Sequence, residues 1–351
     1  MTESARQLVY FEAFADPIAE QVIGDADNIT LTRLECQAAP AAIALALETA
    51  HGFQLMAKTE HPVDWRPLAP VLDACPNLLA VSSLGAGYDM VDVEACTERG
   101  IMVVNNSGAN SDSVAQHAAG MMLVLSKNML RLDKLVRREA GIDRFTDGLV
   151  GRELTDKTLG IVGLGNIGRR LARIASAAFG MRVIAYDPYL APADFAERDA
   201  EAVDFETLFA ESDAVSLHCP LTDETRGMVD AAAFKRMKPS AHFITTARGY
   251  IHDEAALVAA LAEGQIDGAG IDVFDEEPPG PGHPLMEFDN VLLTPHVAGV
   301  TDVANREMAR QSALQWIDIL SGRRPPRLVN PDVWPAYQER HPRITGNPVI
   351  D

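Results

Sequence analysis

Gly163, Gly165 and Gly168 fall within TLGIVGLGNIGRR, residues 158 to 170, and their spacing could cradle a phosphate. The first glycine permits a tight turn, the second lets a pyrophosphate approach the backbone, and the third lets a following helix pack on the preceding strand. Glycines at this spacing also arise by chance, so the surrounding pattern must carry the reading. A β-like run, Thr158 to Val162, precedes them, and an amphipathic stretch, Arg169 to Phe179, follows. A second β-like run, Met181 to Tyr186, ends in Asp187, 19 residues after Gly168, where a dinucleotide site places the acid that binds the adenosine ribose. Asp187 is followed by Pro188 and not by arginine, and a carboxylate there repels a 2′-phosphate, so the pattern points to NAD (NADH) rather than NADP. A second cluster, Gly85 and Gly87 in SSLGAGYD, lacks a third glycine and a suitably spaced acid.

A bound dinucleotide needs a partner group to handle a proton and another to hold the substrate. Three stretches supply candidates. The run His242 to Thr246 leads into Arg248, Gly268 to Phe274 leads into DEEPP with Glu277, and Val291 to Thr294 leads into His296. All three follow the C-terminal ends of expected strands, where open α/β sheets bind ligands. Taken singly, each has a bland reading as a surface arginine, a solvated turn or a structural histidine; taken together they describe a site. His51, His61, His117, His218, His242, His252, His283 and His341 show no metal-ligand spacing, and no metal is expected. His117, on an apolar helix, reads as a packed residue.

Short β-like and helical stretches alternate from Gln7 to Asn105, which implies a doubly wound parallel sheet. A single long helix is expected from Ser111 or Ser113 to about Val136, connecting two domains. Gly141 to Asp156 is a polar excursion, a candidate partner contact or a plain surface loop. The alternation then resumes and predicts roughly six parallel strands between residues 158 and 296. An amphipathic helix over Asp302 to Leu320 is expected to return to the first domain, and the proline-rich tail from Pro325 to lie over the surface.

At 351 residues and 47% hydrophobic content the chain can bury two cores. The 50 acidic residues outnumber the 30 basic ones, giving a formal charge of −20, which argues against attraction to nucleic acid or an anionic membrane. Cys36, Cys75, Cys96 and Cys219 have no paired spacing, and no apolar stretch is long enough to span a bilayer. A cytoplasmic location is expected.

GLGNIGRR with Asp187, HCPLTDETRGM from His218, TTARG ending at Gly249, GIDVFDEEP from Gly270 and TPHVAG from Thr294 together resemble the D-isomer-specific 2-hydroxyacid dehydrogenase family, including glyoxylate/hydroxypyruvate reductases and phosphoglycerate dehydrogenases. The resemblance runs from about residue 40 to 325. It implies an α/β fold of two doubly wound parallel-sheet domains. A Rossmann NAD-binding domain, residues 109–297, would be inserted in a flavodoxin-like substrate domain made of residues 1–108 and 298–351, with the active site in the cleft between them. It implies hydride transfer between NAD and a small 2-oxo acid or its D-2-hydroxy acid, and a homodimer. Arg248 would hold the substrate carboxylate, His296 would be the acid/base, and Glu277 would pair with His296. Asn166 and Ile167 would contact the pyrophosphate, and Cys219, Pro220, Thr222 and Thr225 would line the adenine side. Thr246 and Asp272 would sit near the nicotinamide carboxamide, with His296 and Gly299 also against the cofactor. Gly85, Ala86, Gly87 and Asn110 would meet the substrate. Gln116 and Ala298 depart from residues common in the family. An NAD(H)-sensing co-repressor and a formate or phosphite dehydrogenase share the scaffold and stand as alternatives.

Overall fold

The computed structural model describes residues 5–26, 28–57, 60–138 and 149–350. The chain divides into two compact units, Met1–Asn110 with Thr301–Asp351, and Ser111–Val300.

In the first unit β1 (Arg6–Phe11), α1 (Ile18–Gly24), β2 (Ile29–Leu34), α2 (Pro40–Glu48), β3 (Gly52–Gln54), α3 (Ala69–Asp73), β4 (Ala80–Ser82), α4 (Val93–Glu98) and β5 (Met102–Val104) alternate. The strands pair in parallel in the order β2-β1-β3-β4-β5, the doubly wound order of flavodoxin-like sheets. Both faces are covered. Val9, Phe11, Phe53, Val81 and Val103 pack on one face, and Leu8, Tyr10, Ala80, Met102 and Val104 on the other. This is why LVYF and MVV run apolar without alternating.

The second unit opens with α5 (Ser111–Ser126) and α6 (Met129–Arg138). β6 (Thr158–Val162), α7 (Gly168–Phe179), β7 (Arg182–Tyr186), α8 (Pro192–Glu197), β8 (Glu201–Ala202), α9 (Phe205–Glu211) and β9 (Ala214–Leu217) follow. The unit ends with α10 (Ala231–Arg236), β10 (His242–Thr245), α11 (Glu254–Ala262), β11 (Gly268–Ile271) and β12 (Val291–Leu293). Its parallel sheet has the order β12-β11-β10-β9-β6-β7-β8. The order reverses between β6 and β9, so a ligand crevice opens at the C-terminal ends of those two strands. Asp204, Asp230 and Asp253 cap α9, α10 and α11 by accepting backbone N–H groups of Thr207, Ala233 and Ala256, which fixes where each helix begins.

The chain re-enters the first unit through α12 (Asp302–Leu320), which packs on α1, and ends in α13 (Trp334–Thr345). Trp316 of α12 is fully buried and donates from Nε1 to Gln54 Oε1 at 2.9 Å. Gly52 makes room for it, since a Cβ there would lie 2.5 Å from the indole ring.

Four expectations need correction. The single helix to Val136 is two helices, because Asn128 adopts φ 54° and donates from Nδ2 to the Val150 carbonyl; asparagine tolerates this left-handed conformation better than most residues. α5 is not a connector but part of the second unit's core, where Ala115, Ala118, Met122 and Leu125 are buried with Leu171 and Ile244. The sheet holds seven strands, the added one being β8, whose two exposed residues carry no β signal. The tail is packed: Val333, Tyr337 and His341 are fully buried, and Asn330 Oδ1 accepts the Val103 N–H. Of the expected excursion Gly141 to Asp156, residues 141–148 lie outside the described residues.

Candidate active site

β6 ends at Val162, and the glycine turn that follows is explained by what each absent side chain would meet. A Cβ on Gly163, at φ 90°, would lie 2.7 Å from the Cys219 nitrogen, and one on Gly168 would lie 2.2 Å from the Gly163 carbonyl oxygen. A Cβ on Gly165 would meet nothing within 4 Å. The first and third glycines therefore serve packing, whereas the second leaves open ground beside the N-terminus of α7. That open ground suits a pyrophosphate, which needs close backbone approach and the positive end of a helix. Asn166 and Ile167 lie in the turn between Gly165 and α7.

Asp187 follows β7 and faces this turn. Its Oδ2 accepts the Leu164 N–H at 3.0 Å and its Oδ1 the Tyr189 N–H at 3.1 Å. The loop after β9 borders the same crevice. Thr225 Oγ1 donates to the Pro220 carbonyl and accepts the Thr222 N–H at 2.8 Å, which holds Pro220 to Thr225 as one tight turn. Cys219 begins that loop, and burial pushes its thiol up to about 12, so it stays a thiol. At the end of β10, Thr246 is buried and its hydroxyl has no partner among the described residues. An unmet polar group at the crevice end of a strand fits a ligand carrying its own polar groups.

The three catalytic candidates follow β10, β11 and β12. Gly249, next to Arg248, brings the first two exits together: a Cβ there would lie 2.1 Å from the Phe274 carbonyl oxygen. Arg248 is half-buried and donates from Nη1 to the Ala247 carbonyl at 2.7 Å. Glu277 uses its two oxygens differently. Oε1 accepts the Phe274 N–H at 3.1 Å, and Oε2 lies 2.9 Å from His296 Nδ1. Burial pushes the Glu277 carboxyl up, but the His296 hydrogen bond and charge, the Phe274 N–H and the Arg248 guanidinium outweigh it and hold it below the usual carboxylate range. With Nδ1 turned to Glu277, His296 Nε2 has no partner among the described residues. The imidazole is 31% exposed and Glu277 13%, so the outer nitrogen can meet a ligand while the carboxylate stays sheltered.

Asp272 at the end of β11 is fully buried, and its carboxylate is already engaged. It accepts the Thr294 hydroxyl at 2.6 Å and the N–H groups of Val297 and Ala298 at 2.9 and 3.0 Å. Gly299 continues that turn. In the first unit, the carbonyls of Gly85, Ala86 and Gly87 accept from Asn106 N–H, Asn105 Nδ2 and Ser83 Oγ respectively, and among the described residues their N–H groups have no hydrogen-bond acceptor. Asn110 is half-buried at the end of that unit's first segment. Sequence reasoning missed the polar contacts of His117 with Thr294 and of Ser113 with Ala298. Their only sequence signal is the spacing of Ser113 and His117, four residues apart on one helix face.

Residues 119–298 match the model of the D-isomer specific 2-hydroxyacid dehydrogenase NAD binding domain. The chain is 40% identical over 267 residues to a glyoxylate reductase of Thermofilum pendens, covering 76% of this chain and 78% of the relative. It is 39% identical over 242 residues to a hydroxypyruvate reductase of Thermotoga maritima, covering 68% and 77%. A D-lactate dehydrogenase structure from Aquifex aeolicus, complexed with NAD and lactic acid, is similar with TM-score 0.79 and 26% identity over 92% of this chain and 99% of that one. The chain belongs to the D-isomer-specific 2-hydroxyacid dehydrogenase family. It is an NAD-dependent oxidoreductase, and no helix among the described residues is long and apolar enough to cross a membrane.

Proposed function

We propose that the protein interconverts a small 2-oxo acid and its D-2-hydroxy acid, with glyoxylate and hydroxypyruvate as the substrates to try first, and with His296 as the acid/base. The observation that carries this reading is the His296–Glu277 pair at 2.9 Å, with Nε2 left for the substrate and Arg248 following the adjoining strand. NAD, when bound, supplies or accepts the hydride. Gly163, Gly165, Asn166, Ile167 and Gly168 would take its pyrophosphate, and Asp187 its adenosine ribose. Cys219, Pro220, Thr222 and Thr225 would line the adenine side, with Thr246, Asp272, His296 and Gly299 toward the nicotinamide. Arg248 binds the substrate carboxylate through a guanidinium fork whose two donors match the two oxygens. In reduction His296 gives its Nε2 proton to the carbonyl oxygen; in oxidation it takes the hydroxyl proton. Glu277 fixes the ring and stabilises its charged form.

Loss of NADH absorbance, followed with a panel of 2-oxo acids and with NADPH alongside, tests the reaction class and the cofactor preference together. Turnover of glyoxylate or hydroxypyruvate is expected, and its reduction by about 10²-fold or more in His296→Gln. A His296→Gln variant with wild-type turnover would sink the acid/base assignment. The second unit also supports the homodimer: α6 has no buried residue, yet carries Met129, Leu130, Leu132, Leu135 and Val136. Light scattering should give twice the chain mass; a monomer would exclude the assembly.

A further inference from the structure

Behind the loop that carries His296, the polar groups form one connected chain that begins on α5. Ser113 Oγ donates to the Ala298 carbonyl at 2.7 Å, and one turn further along, His117 Nε2 lies 3.2 Å from Thr294 Oγ1. Thr294 Oγ1 is 2.6 Å from Asp272 Oδ1, and the Asp272 carboxylate also accepts the N–H groups of Val297 and Ala298. The Asp272 backbone carbonyl accepts the His296 N–H at 2.8 Å.

Counting protons fixes the direction of this chain. A carboxylate accepts only, so the single hydroxyl proton of Thr294 goes to Asp272. Thr294 Oγ1 can then only accept from the ring, and His117 Nε2 must carry a hydrogen.

The loop has a reason to be held. His296 adopts φ 56°, a left-handed conformation strained for a residue with a side chain. Such a conformation persists where its surroundings over-determine it, and active sites are where it is found. Here Asp272 takes the N–H groups of residues 296, 297 and 298 in succession, while Ser113 holds the carbonyl of residue 298.

We propose that His117 is a positioning residue of the reaction. Its Nε2–H orients the Thr294 hydroxyl toward Asp272, and Asp272 then holds the His296–Ala298 backbone so that the imidazole meets Glu277 on one side and the substrate on the other. The inference rests on His296 being the acid/base.

Three variants separate positioning from simple packing. His117→Phe keeps a flat ring without a donor, His117→Gln restores an N–H, and Thr294→Val removes the hydroxyl. Hydrogen exchange of the Val297 and Ala298 amides, measured without cofactor, should accelerate roughly fivefold or more in His117→Phe and Thr294→Val. In both, kcat for 2-oxo acid reduction should fall on the order of 10- to 100-fold with KM within about twofold. His117→Gln should recover most of both. Unchanged amide exchange in His117→Phe overturns the proposal, as does an equal loss in the Phe and Gln variants. Full turnover in His296→Gln would overturn the acid/base reading instead, and amide exchange would still decide whether His117 holds the loop.

Discussion

Glu277 joins two tasks in one side chain: it closes its own turn through the Phe274 N–H and orients His296 through the other oxygen. Glu277→Gln keeps the shape and loses the charge, so kcat should fall by about 10- to 100-fold while KM stays within about twofold. Steady-state kinetics showing a KM effect alone would assign Glu277 to substrate binding. The same substitution affects stability in a defined pH window. The folded carboxyl titrates below its unfolded value, so its charge stabilises the native state above the unfolded pKa. That contribution is lost as pH falls through the folded value, and the stability difference between wild type and variant should close there. Arg248, Glu277 and His296 were legible in the sequence because each stands just beyond an apolar strand, in a motif of short range. The His117–Thr294 contact was not, because it joins positions 177 apart and depends on how α5 lies against β12. Asp272 was placed by resemblance near the nicotinamide; the structure adds three donors from the loop that follows β12, which no spacing announces.

At the scale of elements, the strand–turn–helix of residues 158–179 shows how differently neighbouring glycines act. Gly168→Ala would push a Cβ to 2.2 Å from a backbone oxygen, so the turn must open, at a cost of about 1–3 kcal/mol. Gly165→Ala meets no atom within 4 Å and should leave the melting temperature unchanged. It should nonetheless weaken NADH binding at least about tenfold, a penalty of about 1.4 kcal/mol, because the methyl occupies ground the pyrophosphate needs. Calorimetric titration with NADH alongside thermal melts separates the two; a Gly165→Ala protein that binds NADH normally would remove the pyrophosphate from this turn. The alternating strands and helices were legible because buried parallel strands carry continuous apolar runs. The tail was misread because its prolines suggested an irregular surface segment. Pro331 and Pro335 instead stand in the first turns of short helices, where proline costs no hydrogen bond, and α13 then buries Tyr337 and His341. The break at Asn128 was equally hidden, since the apolar residues continue across it from α5 into α6.

Across the whole molecule, five histidines are pushed down chiefly by burial: His51, His61, His218, His252 and His341, with His61 and His252 at about 4 and His218 at about 3. His61, His218 and His252 stay neutral in the folded chain well below the pH at which their unfolded counterparts take up a proton, about 6.5, and His51 and His341 are shifted the same way. The unfolded state therefore binds more protons, and stability must fall as pH drops from about 6.5 toward 4, by up to about 1.4 kcal/mol per pH unit for each imidazole. The opposing effect is relief of self-repulsion as the charge of −20 is titrated toward the isoelectric point near 4.8. At about 0.15 M salt that repulsion is screened beyond about 8 Å, so the histidine linkage should set the sign of the slope. His252 isolates the effect. It is 1% exposed, neither ring nitrogen has a partner among the described residues, and the Phe243 ring lies 5.4 Å away. His252→Leu removes an unmet polar group and should stabilise the protein by about 1–3 kcal/mol at pH 7. It should also make the fall in stability between pH 6.5 and 4.5 shallower, because one proton-binding difference has gone. Denaturant unfolding at three pH values measures both effects. A variant less stable than wild type at pH 7 with the slope intact would show that His252 is protonated and paired in the folded protein.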